Sequence, residues 1–187
     1  MPIVGRTLRE AARTFCDQLN RVLAKTVTQT RLVEFGLPDA PTTAATFRQA
    51  GNPTEARLRT RYGPMGLYIG QLCGSVPTPD KQHRLVTVEY RYTLTPAGAN
   101  EPLFRWEYIR TPKAEEVWCR HHLQGTVPIS IGQHTIPLNE WHLPTGYVPI
   151  EDILRFCIVD LGVAPLSDNW DTVLRDSYER FKTEFAR

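Results

Sequence analysis

Alternation of apolar and polar residues in the middle of the chain is the feature that most constrains its fold. The alternation runs from Leu85 to Leu94, breaks at the Pro, Gly and Asn of 96–100, and resumes from Phe104 to Tyr108. A period of two residues indicates strands with one buried face, and a Gly-containing break between two such runs indicates an antiparallel pair. The sequence therefore predicts an antiparallel pair of strands with one buried and one hydrated face.

The two faces of these predicted strands differ in chemistry, because successive side chains of a strand point to opposite faces. The set predicted to be buried comprises Val86, Val88, Tyr90, Tyr92, Leu94, Phe104, Trp106 and Tyr108. The set predicted to be hydrated comprises Glu89, Arg91, Arg105 and Glu107. A third extended run at 117–124 contains His121 and His122, and pairing beside the first two strands would place one histidine on each face.

Helical patterns lie on either side of this central region. A capping box at Thr7 begins one helix, Pro149 begins a second, and a third starts near Ser167 or Asp168. The β-branched run at 26–35 and the glycine-containing run at 64–74 indicate further strands, the latter with a bulge or a close backbone approach. The sequence predicts a single α+β domain over residues 1–187. Its curved, mainly antiparallel sheet of about five to seven strands would be covered on one face by the N-terminal helix and two C-terminal helices.

The stretch 37–56 is rich in Pro, Thr and Ala and has no clear period. This pattern predicts a long flexible loop. The loop would either fold over a functional site as a flap or form a surface excursion without a role.

Composition excludes several classes of protein. No run of 18 apolar residues is present, and the first residues lack the apolar segment of a signal peptide, so we expect a cytosolic protein that does not enter a membrane. The four cysteines have no C-x-x-C spacing, which argues against a zinc knuckle or a disulfide framework. Reduced, mostly buried thiols are therefore expected at Cys16, Cys73, Cys119 and Cys157.

Charge is distributed unevenly along the chain. Residues 1–62 contain ten Lys or Arg and five acids, whereas residues 140–187 contain five Lys or Arg and nine acids. This asymmetry has two interpretations: the basic part binds an anionic partner, or the two parts pair with each other in the fold.

Three arginines in the basic part, Arg57, Arg59 and Arg61, occupy alternate positions. In an extended segment all three would lie on one face. Such a row needs anions nearby, and these would be either glutamates of a neighbouring strand or the phosphates of a nucleic acid, which arginine binds in a bidentate manner.

Motifs in the central strands resemble those of a known family. Three segments carry this resemblance: Tyr90-Arg91-Tyr92, residues 103–108, and Arg120-His121-His122. In order and approximate spacing they resemble the Y-x-Y, F-R-Y-D-N and His-rich segments of TumE-type toxins from bacterial toxin-antitoxin modules. The resemblance covers roughly residues 84–160, and Glu107-Tyr108 stands where the family shows Asp-Asn. It implies a small cytosolic toxin that acts on RNA and is neutralised by a helix-turn-helix antitoxin.

The charged residues of the hydrated face are also of the types that metal-free RNA cleavage requires. That reaction needs a base for the 2′-hydroxyl, an acid for the leaving oxygen, and cations around the phosphorane. The catalytic candidates are His122, Glu107 and Arg105. The phosphate-binding candidates are Arg91, Arg105, Arg120, Arg57, Arg59 and Arg61. The alternative is a ladder of cross-strand Arg–Glu pairs, each worth about 0.2 to 1 kcal/mol, with His122 an ordinary surface histidine.

A metal site is the less favoured interpretation of the histidines. Cys119 and His121 share a face by alternation, and His134 or His142 would have to complete the ligand set. His121 is better explained as a hydrogen-bonded core histidine. No metal or other cofactor is expected.

Two functions remain open from the sequence. The first is a toxin-like protein acting on RNA, with a cognate antitoxin-like partner. The second is a non-catalytic nucleic-acid- or protein-binding module of a bacterial defence or regulatory system. Sheets that bind single strands usually expose aromatic rings for stacking on bases, and the aromatic residues of the central strands are predicted on the buried face, which argues against such a binder.

Overall fold

The computed structural model describes residues 3–37, 40–112 and 120–185. Within these ranges the helices are α1 (Leu8–Thr26), α2 (Ile150–Val159) and α3 (Trp170–Phe185), with a 3₁₀ helix at Leu138–Glu140. The first six strands are β1 (Val4–Gly5), β2 (Leu32–Phe35), β3 (Thr43–Gln49), β4 (Asn52–Pro53), β5 (Ala56–Thr60) and β6 (Gly63–Pro77). The remaining strands are β7 (His83–Pro96), β8 (Phe104–Ile109), β9 (His121–Gln124), β10 (Pro128–Ile131), β11 (His134–Pro137) and β12 (Leu143–Pro144).

A large antiparallel sheet organises the fold. Its main path follows the order β12-β9-β8-β7-β6-β3-β2, while β1 pairs with β7, β5 with β6 and β4 with β3. The two long strands β6 and β7 form its centre, and β10 and β11 form a separate hairpin. The predicted α+β class is confirmed, and the sheet contains ten strands within the described ranges.

The three helices pack against one face of this sheet and close the hydrophobic core. Buried side chains of α1, α2 and α3 meet those of the strands in one cluster, which includes Leu23, Phe47, Leu67, Tyr92, Leu154 and Leu174. Burying a side chain of this size contributes about 1.5 to 3 kcal/mol. The opposite face of the sheet, here called the outer face, has no helix of the described residues packed on its central strands.

The start of α1 follows the predicted capping box in part. The Thr7 hydroxyl accepts a hydrogen bond from the backbone N–H of Glu10 at 3.2 Å. The Glu10 carboxylate accepts from the backbone N–H of Arg6 at 2.8 Å, one residue before the cap. Both hydrogen bonds satisfy backbone donors at the start of the helix, as the motif requires.

The structure corrects the predicted long loop at 37–56. Strand β3 lies in this stretch, between β2 and β6, and β4 pairs back on it. Ala45 and Phe47 of β3 point into the core. The small Ala and Thr side chains of this strand have weaker apolar contrast than Val or Ile, so the sequence shows no clear alternation there.

A β-bulge changes the predicted faces of the first part of β7. The partner positions on either side of it are Cys73 with Thr87 and Leu72 with Glu89, so that Val88 is the extra residue. An extra residue reverses the alternation. Thr87 therefore lies on the buried face, whereas Val86 pairs with Gly74 on the outer face, which corrects the prediction for Val86 and Val88. The glycine-containing strand is predicted to have a bulge or a close backbone approach; the extra residue lies on its partner β7, opposite Leu72 and Cys73.

The predicted thiol chemistry is confirmed for the cysteines in the described ranges. Cys16, Cys73 and Cys157 are buried and free, and burial raises the pKa of each thiol to about 12. Cys119 lies outside the described residues. No helix of the described ranges is long and apolar enough to cross a membrane.

In the described part of the chain, the ion pairs at each end of the sequence are formed within that end. Glu34, the most enclosed acid of the basic part, receives Arg9 at 2.9 Å and Arg13 at 3.4 Å, both from α1. Near the other end of the chain, Arg155 pairs with Asp171. Among the described residues, no ion pair joins 1–62 to 140–187.

Candidate functional site

A row of residues in direct register crosses the outer face of the sheet. Each member is the antiparallel partner of the next on five adjacent strands, from β3 to β9. Its members are Thr46, Gly70, Arg91, Glu107 and His122. At about 4.8 Å between strands the row is roughly 19 Å long. We call these five residues the outer-face row.

Glu107 is the electrostatic centre of the outer-face row. Its Oε1 lies 2.6 Å from Nε of Arg91, and its Oε2 lies 3.0 Å from Nε of Arg105 and 3.3 Å from Nε2 of His122. Arg91 donates a well-formed hydrogen bond, whereas Arg105 Nε is close without being aligned for one. The guanidinium of Arg105 donates instead to the side chain of Gln124 on β9. One carboxylate thus holds three nitrogen-bearing side chains from three strands.

This environment fixes the charge of Glu107. The side chain is 12% exposed, and burial alone would raise its pKa. The hydrogen bond with His122 and the charges of Arg91 and Arg105 outweigh burial and lower the pKa to about 2. Glu107 is therefore ionised at neutral pH and is a weak proton acceptor, which makes it better suited to positioning His122 than to acting as a base.

The structure adds a second histidine to the site. The imidazole of His142 stacks on that of His122, with ring centroids 4.8 Å apart and planes 23° apart. His142 is exposed, whereas His122 is only 6% exposed and is therefore not an ordinary surface histidine. His142 reaches this place because β12 pairs with β9 through Pro144 and His122.

A groove opens on the outer face beside Arg91 and Glu107. Its volume is about 310 Å³, and it extends across β3, β6, β7 and β8. Gly70 forms its floor, and the Tyr68 side chain covers this glycine so closely that a Cβ there would lie 2.6 Å from Tyr68 Oη. Thr46 lines the groove, and its buried hydroxyl has no hydrogen-bond partner among the described residues.

The remaining predicted phosphate-binding residues lie away from Glu107. Arg57 and Arg59 are exposed on β5 and pair with positions 66 and 64 of β6. They lie on the outer face, but roughly 13 Å (Arg57) and roughly 20 Å (Arg59) along the strands from the outer-face row. Arg120 is exposed directly before β9, and among the described residues no ion pair joins it to Glu107.

Arg61 departs from the predicted row of three arginines, because β5 ends at Thr60. Its guanidinium Nη2 donates to the backbone carbonyl of Val159 at 3.0 Å. Its backbone N–H donates to the backbone carbonyl of Leu161 at 2.8 Å. A cation at the C-terminus of a helix is favoured by the helix dipole. In this structure Arg61 caps α2 and does not extend the row of Arg57 and Arg59.

His121 lies on the opposite face from His122, as predicted. Its ring stacks on Tyr108 with centroids 4.4 Å apart, and its Nδ1 lies 3.5 Å from the Tyr90 hydroxyl. Burial, together with the charges of Arg120 and His122, lowers the pKa of His121. Within the described ranges, no group of three or more His, Cys, Asp or Glu is placed to hold a metal ion, and Cys119 lies outside those ranges.

No protein-family model matches the chain, no curated protein matches it, and no solved structure matches it. The resemblance to TumE-type toxins therefore stays a prediction based on the motifs between 84 and 160.

Proposed function

We propose that this chain is a cytosolic, toxin-like protein that cleaves RNA without a metal ion at the outer-face row. The observation that carries the proposal is the stack of His122 and His142 beside the Glu107 carboxylate. Two imidazoles and two guanidinium groups at one place are of the types that this reaction needs. The resemblance to TumE-type toxins supports the same reaction class and a cognate antitoxin as partner.

The proposed reaction is the attack of a ribose 2′-oxygen on the adjacent phosphorus. A base takes the 2′ proton, the P–O5′ bond breaks, and an acid gives a proton to the departing 5′-oxygen. The products are a 2′,3′-cyclic phosphate and a 5′-hydroxyl. His122 and His142 supply the base and the acid between them, and a positioned imidazole pair of this kind contributes about 10² to 10⁴-fold for each proton transfer.

Glu107 acts in this proposal as a positioning residue. It accepts a hydrogen bond from Nε2 of His122 and so fixes the imidazole ring against the sheet. Its pKa of about 2 keeps it ionised while the histidines exchange protons. The sequence leaves His122 and Glu107 as alternative bases, and this assignment removes Glu107 from that role.

Arg91 and Arg105 would hold the scissile phosphate. Arg91 is 60% exposed although its Nε is bound to Glu107, and a guanidinium has five N–H donors. Donors that point away from Glu107 are therefore able to bind phosphate oxygens in a bidentate manner. Arg105 lies on the other side of Glu107 and is 31% exposed. Both charges would stabilise the phosphorane.

The groove beside the outer-face row would accept a nucleobase. Tyr68 offers a ring on the outer face, and Thr46 offers a buried hydroxyl. Stacking of a base on an aromatic ring contributes about 1 to 3 kcal/mol. Tyr68 thus supplies an aromatic group that the sequence analysis did not place on the outer face.

Cleavage of a labelled RNA in the presence of EDTA tests the proposal. We expect a 2′,3′-cyclic phosphate product from a single-stranded RNA and no cleavage of the same DNA sequence, which lacks the 2′-hydroxyl. His122→Ala and His142→Ala should each reduce the rate at least about 100-fold. His134→Ala is the matched control, because His134 is exposed on the separate hairpin. A cleavage rate that both site variants leave unchanged would refute this site.

Expression in bacteria tests the toxin activity separately. We expect wild-type protein to arrest growth, and His122→Ala and Arg105→Ala to abolish arrest without loss of folded protein. A wild-type protein that is harmless when expressed alone contradicts the toxin function.

The alternative is a module that binds RNA without cleaving it, and the groove with Tyr68 and Thr46 favours that function independently of the histidines. Binding without cleavage in the EDTA experiment would identify it. RNA affinity should then decrease with salt, and Arg57→Gln with Arg59→Gln should reduce the salt dependence if these arginines contact phosphate.

A further inference from the structure

A second cavity lies on the buried face of the sheet, opposite the proposed RNA site. Its volume is about 230 Å³, and it is enclosed by β7 and the three helices. Phe15 and Leu19 of α1 and Ile150 of α2 form apolar walls. We call it the core pocket. An apolar cavity of about 150 Å³ is already large enough for benzene, so the core pocket has room for a compact ring system.

Polar side chains line the interior of the core pocket. The Gln71 side chain donates to Thr87 Oγ1 at 2.8 Å, and the Tyr92 hydroxyl lies 3.5 Å from Gln71 Oε1. Each of these side chains is buried. Burying polar groups costs free energy that an apolar core would not need to offset. Their concentration around one cavity is the pattern of a small-molecule site, in which a few polar groups fix the orientation of a ligand with an apolar body.

Glu151 is the acidic residue of the core pocket. It is 5% exposed at the first turn of α2, and its Oε1 accepts a hydrogen bond from Ser177 Oγ at 2.5 Å. Burial raises its pKa, so that its neutral form is favoured more than in water.

The rim of the core pocket is positively charged. Arg110, directly after β8, and Arg180 on α3 line the cavity and are exposed. The guanidinium of Arg110 donates to the backbone carbonyl of Thr87, and that of Arg180 donates to the backbone carbonyl of Asp176. Among the described residues, neither of these two arginines forms an ion pair with an acid. Two guanidinium groups at one opening favour an anionic ligand.

We propose that the core pocket binds a small organic anion with a flat aromatic body. The body lies between the sheet and the helices, against Phe15 and Ile150. The anionic group stays at the mouth, where Arg110 and Arg180 bind it. The site uses the face of the sheet opposite to His122 and is therefore independent of the proposed RNA cleavage.

Calorimetric titration with 2-naphthoate tests the proposal, with two probes of the same ring system as comparators. The neutral comparator is 2-naphthalenemethanol, and the cationic comparator is 2-naphthylmethylamine. We expect 2-naphthoate to bind at least about tenfold more tightly than the alcohol, equivalent to about 1.4 kcal/mol, and the amine to bind more weakly than the alcohol. No binding of 2-naphthoate, or equal binding of all three, would overturn the proposal.

Variants locate the probe within the protein. Arg110→Gln with Arg180→Gln should weaken 2-naphthoate binding at least about tenfold and leave binding of the alcohol unchanged, since only the anion contacts these arginines. The matched charge control is Arg57→Gln with Arg59→Gln on the outer face. An equal loss of 2-naphthoate affinity in both double variants would contradict binding at the core pocket.

A substitution that fills the cavity gives a second location test. Leu85 lines the core pocket and is only partly buried, so Leu85→Trp should occupy the cavity and abolish binding of both 2-naphthoate and the alcohol. Leu166→Trp, at an exposed apolar position, is the control. His122→Ala should bind 2-naphthoate as the wild type does, and weaker binding would refute the independence of the two sites. If Leu85→Trp does not fold, the comparison of the two arginine double variants tests the location of binding instead.

Discussion

Glu107 and His122 face each other across β8 and β9, with Oε2 and Nε2 3.3 Å apart. The same carboxylate reaches Arg91 on the other neighbouring strand, so that three strands are joined at one group. Cross-strand pairs of opposite charge usually contribute about 0.2 to 1 kcal/mol each. Here the carboxylate and the imidazole are nearly enclosed, and both the stability and the chemistry of the outer face depend on their contact.

Substitution of Glu107 should make stability less dependent on acid pH. The folded pKa of about 2 lies below the ordinary value of 4.5, so the ionised carboxylate stabilises the fold above about pH 4.5, and this contribution is lost as pH falls towards 2. For wild type the difference corresponds to at most about 3 kcal/mol. Urea unfolding at several pH values should show Glu107→Gln less stable at pH 7 and equal to wild type near pH 2.

The control for this prediction is Glu89→Gln, an exposed carboxylate on the same strand pair. It should change stability by no more than about 0.5 kcal/mol at any pH. A Glu107→Gln protein that is as stable as wild type at pH 7 would show that the ion pairs offset only their own desolvation.

Gly70→Ala should alter the groove on the outer face while changing the stability of the fold little. A methyl group at this position meets the Tyr68 side chain, with Cβ 2.6 Å from Oη, and the hydroxyl end of that side chain is able to move away. We expect a change of less than about 1 kcal/mol in the free energy of unfolding, with RNA affinity reduced about fivefold or more because the ring is displaced. Tyr68→Ala should give a similar affinity loss. Unchanged affinity in both variants would place RNA elsewhere.

Glu151→Gln should stabilise the protein at neutral pH. Burial raises the folded pKa of Glu151 above the ordinary 4.5, so the folded state binds its proton more tightly than the unfolded state. Stability from this group is therefore fully present below about pH 4.5 and is lost as pH rises through the folded pKa. The amide keeps an acceptor for Ser177 and carries no charge. Thermal unfolding should show Tm of the variant above that of wild type at pH 8, and no advantage at pH 4.

The elements that the sequence predicted well are those with strong periodic signals. The α1 stripe, the long strand β6 and the charged alternation of β8 each have large apolar side chains at regular spacing, and packing follows such patterns directly. For the same reason the sequence predicts Arg91, Arg105, Glu107 and His122 on one face, and the structure brings them together.

The features that the sequence did not predict depend on register. One bulge residue, Val88, reverses the faces of the first part of β7, and no local signal in β7 itself marks it. His142 joins His122 only because the two-residue strand β12 pairs with β9, and a strand of this length has no period to recognise. Such long-range pairings are set by the whole sheet, and a single sequence carries little information about them.

Arg61 and Gly162 form a contact that offers a last, purely structural prediction. Gly162 follows α2 with φ of 72°, and a Cβ there would lie 2.7 Å from Arg61 Nε. Gly162→Ala should therefore destabilise the protein by about 1 to 2 kcal/mol, because the left-handed conformation is strained for alanine and the arginine must move. Arg61→Gln should cost about 0.5 to 1.5 kcal/mol through the lost bond to Val159. Arg59→Gln, on β5 and two residues before Arg61, should be neutral in urea unfolding. If instead Arg61→Gln left stability unchanged and weakened RNA binding as much as Arg59→Gln did, Arg61 would belong with the phosphate-binding arginines and not with the end of α2.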